Sequence, residues 1–520
     1  SPGTTYDLRA CKLTVNSATV RIKSGDSVTL DGALTVSTGS LVIFNSGANL
    51  IQYGTTNDNT GAIIIKRDSA PLKRLDYTIW SSPVAGQQLQ AFSPNTLSNR
   101  FYSYNSSTNL YQAVDPSATN FSPFNSYLVR TANTHPTTPA TWTGQFTGVP
   151  NNGNYSMAFT GYRLIGNPYP SAIDAENFID TNIANGSITG TVYFWRKTNG
   201  SSNAAYCTYN LGGFVSNNDS AISNMTVNPN TSTNVVQVGQ GFIVEGTGTS
   251  NVVFTNDMRI DSNVNRFLRT ANTIERNRIW LNITNAAGSF SQAMIAYMTG
   301  ATQGVDPSID GKLLTDGDVS LASLIGTTSY AIQGRALPFD MTDVVPMSFK
   351  VTTAGDYTIT IDHVDGLFSN GAQTVYLRDN TTGVVHNLSA GGYTFTSASG
   401  TFDTRFEIIY QSTSLAVSTP TFNESQVVIY KTPTNEISIN TGNVVMSKVK
   451  IFDIRGRLLQ EQKDINASQT FMNAVLTTEV LLVQITSEEG IVVTKKVLFP
   501  RTSLKLDKKI EVKTQLAEDE

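Results

Sequence analysis

Cysteine, histidine, charge and long apolar runs are all scarce in this chain. Two cysteines in 520 residues, Cys11 and Cys207, are too few for a disulfide scaffold or a thiolate zinc site. Two separate thiols are the expected state. The three histidines, His135, His363 and His386, show no HxH or HExxH spacing, so the common metal-hydrolase signatures are missing. Only 15% of residues are charged, and a net charge of −4 offers no cationic field for nucleic acid. No run of eighteen apolar residues occurs, so no helix is expected to span a bilayer. A GxSxG elbow, a Walker loop and a dinucleotide fingerprint are absent as well.

What is plentiful is Gly, Ser, Thr and Asn between short alternating apolar runs, which predicts an all-β chain of several domains. The opening "SPGTTYDLRACK" has neither Met nor an export signal, as expected of a mature form or a fragment. Residues 13–33 and 34–54 repeat at a spacing of 21, with Leu13 on Leu34, Val15 on Val36, Val20 on Leu41, Ile22 on Ile43 and Leu30 on Ile51. Short strands recurring at that period predict β-solenoid coils over 1–70. A looser duplication fills 71–260: "LDYTIWSSPVAG" parallels "TGYRLIGNPYPS", "RFYSYN" parallels "VYFWRK" and "NSYLVR" parallels "QGFIVE". Eight alternating runs across 275–411 predict a β-sandwich of two packed antiparallel sheets. A non-periodic linker at 412–426, a compact unit at 427–499 and a charged tail at 500–520 complete the chain.

Candidate chemistry is sparse. Asp306, Asp310, Asp316 and Asp318 cluster in "GVDPSIDGKLLTDGDVS", where Asp316 and Asp318 would supply oxygens to Ca²⁺, although the EF-hand pattern is missing and Asp-Gly also makes tight turns. No cofactor is otherwise expected. Trp80, Trp142, Trp195 and Trp280 would stack on sugars if exposed, but strand positions for Trp80 and Trp195 favour the core.

The segment "VVIYKTPTNEISINTGNVVMSKVKIFDIRGRLLQEQKDINASQTF", followed by "EVLLVQITSEEGIVVTKKVLF", resembles the C-terminal sorting domain of type 9 secretion cargo proteins of Bacteroidetes. "GYRLIGNPYPSAIDA" and "IDGKLLTDGDVSLASLI" resemble segments that recur in such cargo. The resemblance implies an Ig-like sandwich of about seven strands at 427–499, read by an outer-membrane translocon and by a β-barrel shuttle protein. The matched positions are Asp453, Arg455, Gly456, Arg457, Lys495 and Lys496. Gly456 supplies the positive φ of a hairpin turn, and Arg455 and Arg457 are donors for carboxylates or carbonyls. It also implies O-glycan attachment at the "DSA" motifs, Ser69 and Ser220. Members of that family usually end within a few residues of the "TKKV" strand, whereas residues 500–520 follow it here.

The expectation is therefore a non-catalytic, adhesin-like exported or cell-surface protein, not itself membrane-spanning, with surface glycans as candidate ligands. The alternative is a secreted polysaccharide-active enzyme or a carbohydrate-binding accessory protein, which requires a groove holding Trp80, Trp142 or Trp195 and two facing carboxylates.

Overall fold

Alternating runs bounded by Gly, Asn and Ser form strands because one face can be buried while the turn residues reverse the chain. In the computed structural model, which describes residues 7–217, 235–261, 275–412, 422–432, 434, 436–473 and 480–499, the outcome is a mostly β protein with 52% strand and 6% helix. The chain divides into two compact units, residues 1–412 and 413–520.

The first unit begins with three parallel ladders. Leu13–Val15 pairs with Leu34–Val36, Thr19–Ile22 with Leu41–Phe44, and Ser27–Leu30 with Asn49–Gln52. The spacing of 21 holds for Leu13↔Leu34 and Val15↔Val36 only. Beyond that point the partners are Val20↔Val42, Ile22↔Phe44 and Leu30↔Gln52, one residue later than Leu41, Ile43 and Ile51. The correction has a local cause. The loop Ser37–Ser40 holds one residue more than Asn16–Ala18, and Gly39 at φ +84° absorbs it. The shift keeps Ile22, Val42 and Phe44 in one core, where a slip of one would have turned alternate side chains outward. At the last rung buried Gln52 donates to the Gly32 carbonyl and exchanges amide hydrogen bonds with Asn59 at 2.8 and 2.9 Å, so no polar group is stranded there. Ile63–Asp68 then continues the stack in parallel with Leu41–Phe44, and Thr143–Pro150 closes against it antiparallel.

Two sheets follow with the same strand order. In one, Tyr77–Trp80 pairs with Tyr127–Arg130, which pairs with Phe101–Asn105 and then Leu110–Ala113. In the other, Thr160–Gly166 pairs with Gly241–Thr247, which pairs with Ile188–Trp195 and then Tyr206–Tyr209. Even the register corresponds: Tyr77 opposes Arg130 as Tyr162 opposes Glu245, and Ile79 opposes Leu128 as Leu164 opposes Ile243. These two sheets face each other across Ile79, Leu128, Leu164, Tyr193 and Ile243, with tyrosines around the margin. Their outer faces differ, since Trp80, Phe101 and Val129 pack on the parallel stack while Ile165, Phe242 and Val244 pack on the helix Ala175–Ala184.

A buried arginine fastens the stack to the second sheet's surroundings. Arg259 donates to the Leu50 carbonyl at 2.6 Å, to Asn152 Oδ1 at 2.6 Å and to Ser171 Oγ at 3.1 Å, and lies 4.7 Å over the Tyr169 ring. No carboxylate faces it among these contacts, and burial pushes its pKa down to about 10.

Residues 276–409 form one eleven-stranded, nearly closed, barrel-like sheet, and this corrects the two-sheet sandwich. The parallel pairing of Met294–Tyr297 with Ile332–Arg335 carries the hydrogen bonding through what would have been the gap between sheets. Near the remaining seam Arg405 donates to Asp379 and to the Thr396 carbonyl.

The second unit places seven described strands in two antiparallel sheets around one core that includes Ile437, Val449, Ile451, Val483 and Ile485. One sheet joins Val428–Lys431, Glu436–Asn440 and Gln469–Asn473. The other joins Leu458–Ala467, Met446–Asp453, Val480–Ser487 and Val492–Leu498.

Candidate functional site

The hairpin between Met446–Asp453 and Leu458–Ala467 gathers four of the matched residues in one turn. Asp453 is 2% exposed although it sits at a strand end. Its Oδ1 accepts the amides of Arg455 and Arg457, each at 2.9 Å, and its Oδ2 accepts Arg457 Nε at 2.7 Å. The Gly456 amide donates back to the Asp453 carbonyl at 2.9 Å, and Gly456 has φ +81°, a conformation that disfavours a Cβ. The Arg457 guanidinium and the turn amides hold the Asp453 carboxyl below the usual carboxylate range. The consequence is an inward carboxylate and outward cations: the Arg457 side chain is 71% exposed despite its tether, and Arg455 is exposed too. Ile454 and Leu458 flank them as exposed apolar side chains.

The two lysines divide. Lys496 is exposed and lies in the row Phe452↔Leu482↔Lys496, two strand spacings (about 10 Å) from the strand that carries the turn. Lys495 alternates to another role, its Nζ donating to the Glu424 and Val427 carbonyls at 3.2 and 2.6 Å and clamping the segment that enters the unit. Ser69 is buried, its Oγ donating to the Ala70 carbonyl and accepting the Trp142 amide, so a glycan there would have to be attached before this loop closes. Ser220 lies outside the described residues.

The clustered aspartates point to separate partners. Asp310 accepts the amides of Asp306 and Gly334, Asp306 accepts Thr302, and Asp316 accepts the Ala205 amide and pairs with Lys197. The histidines are likewise dispersed: His135 bonds the Leu72 carbonyl, His386 the Gly391 carbonyl, and His363 stacks on Trp280 at 4.0 Å beside Asp362. Cys11 and Cys207 do not form a disulfide; Cys11 is exposed, and buried Cys207 donates its thiol to Asn217 Oδ1 at 3.3 Å. Among the described residues no helix is long and apolar enough to cross a membrane.

Three of the tryptophans are held by packing. Trp80 and Trp142 meet edge to face at 5.3 Å and share Phe92 as a neighbour, and Trp280 is 2% exposed. Trp195 is only half-buried, and with Trp80 it lines a cavity of about 100 Å³ where the stack and the two matching sheets meet. Asp68 and Asp76 are in the same wall, which is the residue set the polysaccharide reading calls for. Both carboxylates are engaged, however: Asp76 caps the Lys73 and Asn199 amides, and Asp68 accepts Thr143 Oγ1. The sequence singled out Trp80 and Trp195 as candidate groove residues but not the rest of this wall, because Arg67, Tyr77, Trp195 and Gln240 come from four separated segments.

The family described as Domain of unknown function (DUF8693) matches residues 2–410, and the chain belongs to it. A second, described as Domain of unknown function (DUF8694), matches residues 415–499. No curated protein matches the chain.

Proposed function

We propose that this DUF8693 family member is an exported, non-catalytic, adhesin-like cell-surface protein, directed through the type 9 translocon by its C-terminal unit. The observation that carries this reading is the turn at Asp453–Arg457. A buried carboxylate there fixes the backbone while Arg455 and Arg457 face solvent beside Ile454, a rigid cationic and apolar tip suited to recognition by another protein. On this reading the parallel ladders are β-solenoid-like coils, 71–260 is a duplicated module, and 427–499 is an Ig-like sorting sandwich. The translocon and a β-barrel shuttle are its partners during export, and surface glycans are candidate ligands afterwards.

Deleting 427–520 should trap the remaining chain inside the envelope; secretion at normal efficiency would overturn the reading. Replacing Arg455→Ala with Arg457→Ala should leave the fold intact and weaken capture by translocon or shuttle at least tenfold. Unchanged capture would reduce the two arginines to solvated turn residues. The carbohydrate-active alternative is favoured only by Trp195 and the two aspartates at the cavity, and hydrolysis of a polysaccharide by the purified chain would establish it.

A further inference from the structure

We propose that the cavity where the parallel stack meets the two matching sheets binds a monocarboxylate carrying a ring-sized apolar body. The inference is independent of the export reading, because it concerns a different part of the molecule.

Two polar donors point to such a ligand. Arg67 lines the cavity near the end of the strand Ile63–Asp68, its backbone in the ladder opposite Gly144, and its guanidinium makes no hydrogen bond or ion pair with any described residue. Burial pushes its guanidinium below the ordinary arginine value, with the Asp68 charge offsetting part of that effect. Trp195 lines the cavity as well, and its Nε1–H lies out of reach of solvent with no acceptor among the described residues. Edge contacts from Tyr111 and Tyr206, at 5.6 and 5.5 Å, brace that indole. A guanidinium fork is the natural partner of a carboxylate, which takes two parallel N–H bonds.

The rest of the wall selects the body and the charge of the ligand. Leu72, Ile79, Phe194 and Val238 are apolar and offer a neutral sugar few partners for its hydroxyls. A cavity of about 100 Å³ has room for several water-sized groups, the scale of one ring. Lys197 is already paired with Asp316 at 3.1 Å, and the carboxylates of Asp68 and Asp76 oppose a dianion such as sulfate. One negative charge on an apolar ring matches the Arg67 guanidinium and the apolar side chains of this wall, which also contains Arg196.

Benzoate, benzamide, sulfate and methyl glucoside, titrated separately into the full chain by calorimetry with indole fluorescence in parallel, test the assignment. Benzoate should saturate one site, benzamide should bind at least tenfold more weakly, and sulfate and methyl glucoside should show no saturation. Arg67→Gln should weaken benzoate at least tenfold at an unchanged melting temperature, with Arg67→Lys recovering part of the loss. Benzamide binding as tightly as benzoate would overturn the proposal, as would unchanged benzoate affinity in Arg67→Gln. Saturation by sulfate or glucoside in place of benzoate, or no saturation by any probe at millimolar concentration, would overturn it too. If Arg67→Gln fails to fold, the benzoate-to-benzamide ratio on the unaltered chain decides the matter.

Discussion

Asp379 in the barrel-like sheet and Asp453 in the C-terminal unit are built alike at their backbones. Each caps the amide two residues ahead, Thr381 and Arg455 respectively, and each accepts an arginine Nε. Their surroundings then diverge. Asp379 is fully buried, accepts Tyr393 Oη as well, and its partner Arg405 also donates to the Thr396 carbonyl and lies 4.7 Å over the Phe395 ring. Arg457 gives one Nε bond to Asp453 and shows the rest of its fork to water. The same pair closes a sheet in one place and displays a cation in the other. What differs is the number of acceptors and rings around the guanidinium, and that is a property of the neighbours.

The strongest way to break this comparison is Arg405→Met. It leaves a buried carboxylate with Tyr393 and Thr381 alone, and should cost about 3–5 kcal/mol in chemical denaturation of the first unit. Arg457→Met at the turn should change the second unit's melting only slightly, since an exposed cation loses little when its tether goes. Equal losses at the two sites would mean that burial does not separate them.

Acid should act in opposite directions on Asp310 and Asp453. Burial raises the Asp310 carboxyl to about 6, the Asp306 charge adding to it and the amides of Asp306 and Gly334 opposing it. The folded state therefore keeps this proton longer than the unfolded chain does. Its contribution is complete below about pH 4 and is lost as pH rises through about 6, a change on the order of 3 kcal/mol. Asp310→Asn should flatten that part of the stability curve. For Asp453 the folded value is lowered, so its contribution is present above the unfolded carboxylate range and is lost as pH falls below it. Asp453→Asn should remove that acid-side loss when unfolding of the second unit is followed between pH 2 and about 4.

Two glycines with positive φ sharpen the contrast at smaller scale. At Gly61 (φ +80°) an added Cβ would lie 2.0 Å from the Val36 carbonyl oxygen, so Gly61→Ala must displace the ladder and should cost well over 2 kcal/mol. At Gly456 (φ +81°) nothing lies within 4 Å, so Gly456→Ala meets only the conformational penalty of about 1 kcal/mol. Thermal melts of the two variants, read separately for the two units, check the ordering.

Much of the strand content was legible from alternation, because a strand with one buried face must repeat with a period of two whatever it packs against. The paired order of Tyr77–Trp80 and Thr160–Gly166, and of the strands that follow each, was legible for a similar reason, since the same local pattern recurs along the chain. The turn at Asp453–Arg457 could be found because all its bonds lie within five consecutive residues. Other features depended on meetings that composition does not record. The shift from Leu41 to Val42 as the partner of Val20 was decided by how a single extra loop residue was absorbed, and the continuous sheet at 276–409 by one parallel pairing between distant strands. Ser69 became an interior hydroxyl only when the Trp142 amide arrived, and Arg67 and Trp195 came to share a wall only when three sheets met. Local periodicity determined which residues could be buried; the tertiary structure decided which neighbours each would have, because ladder register and the approach of sheets are set by free energies summed over the whole core.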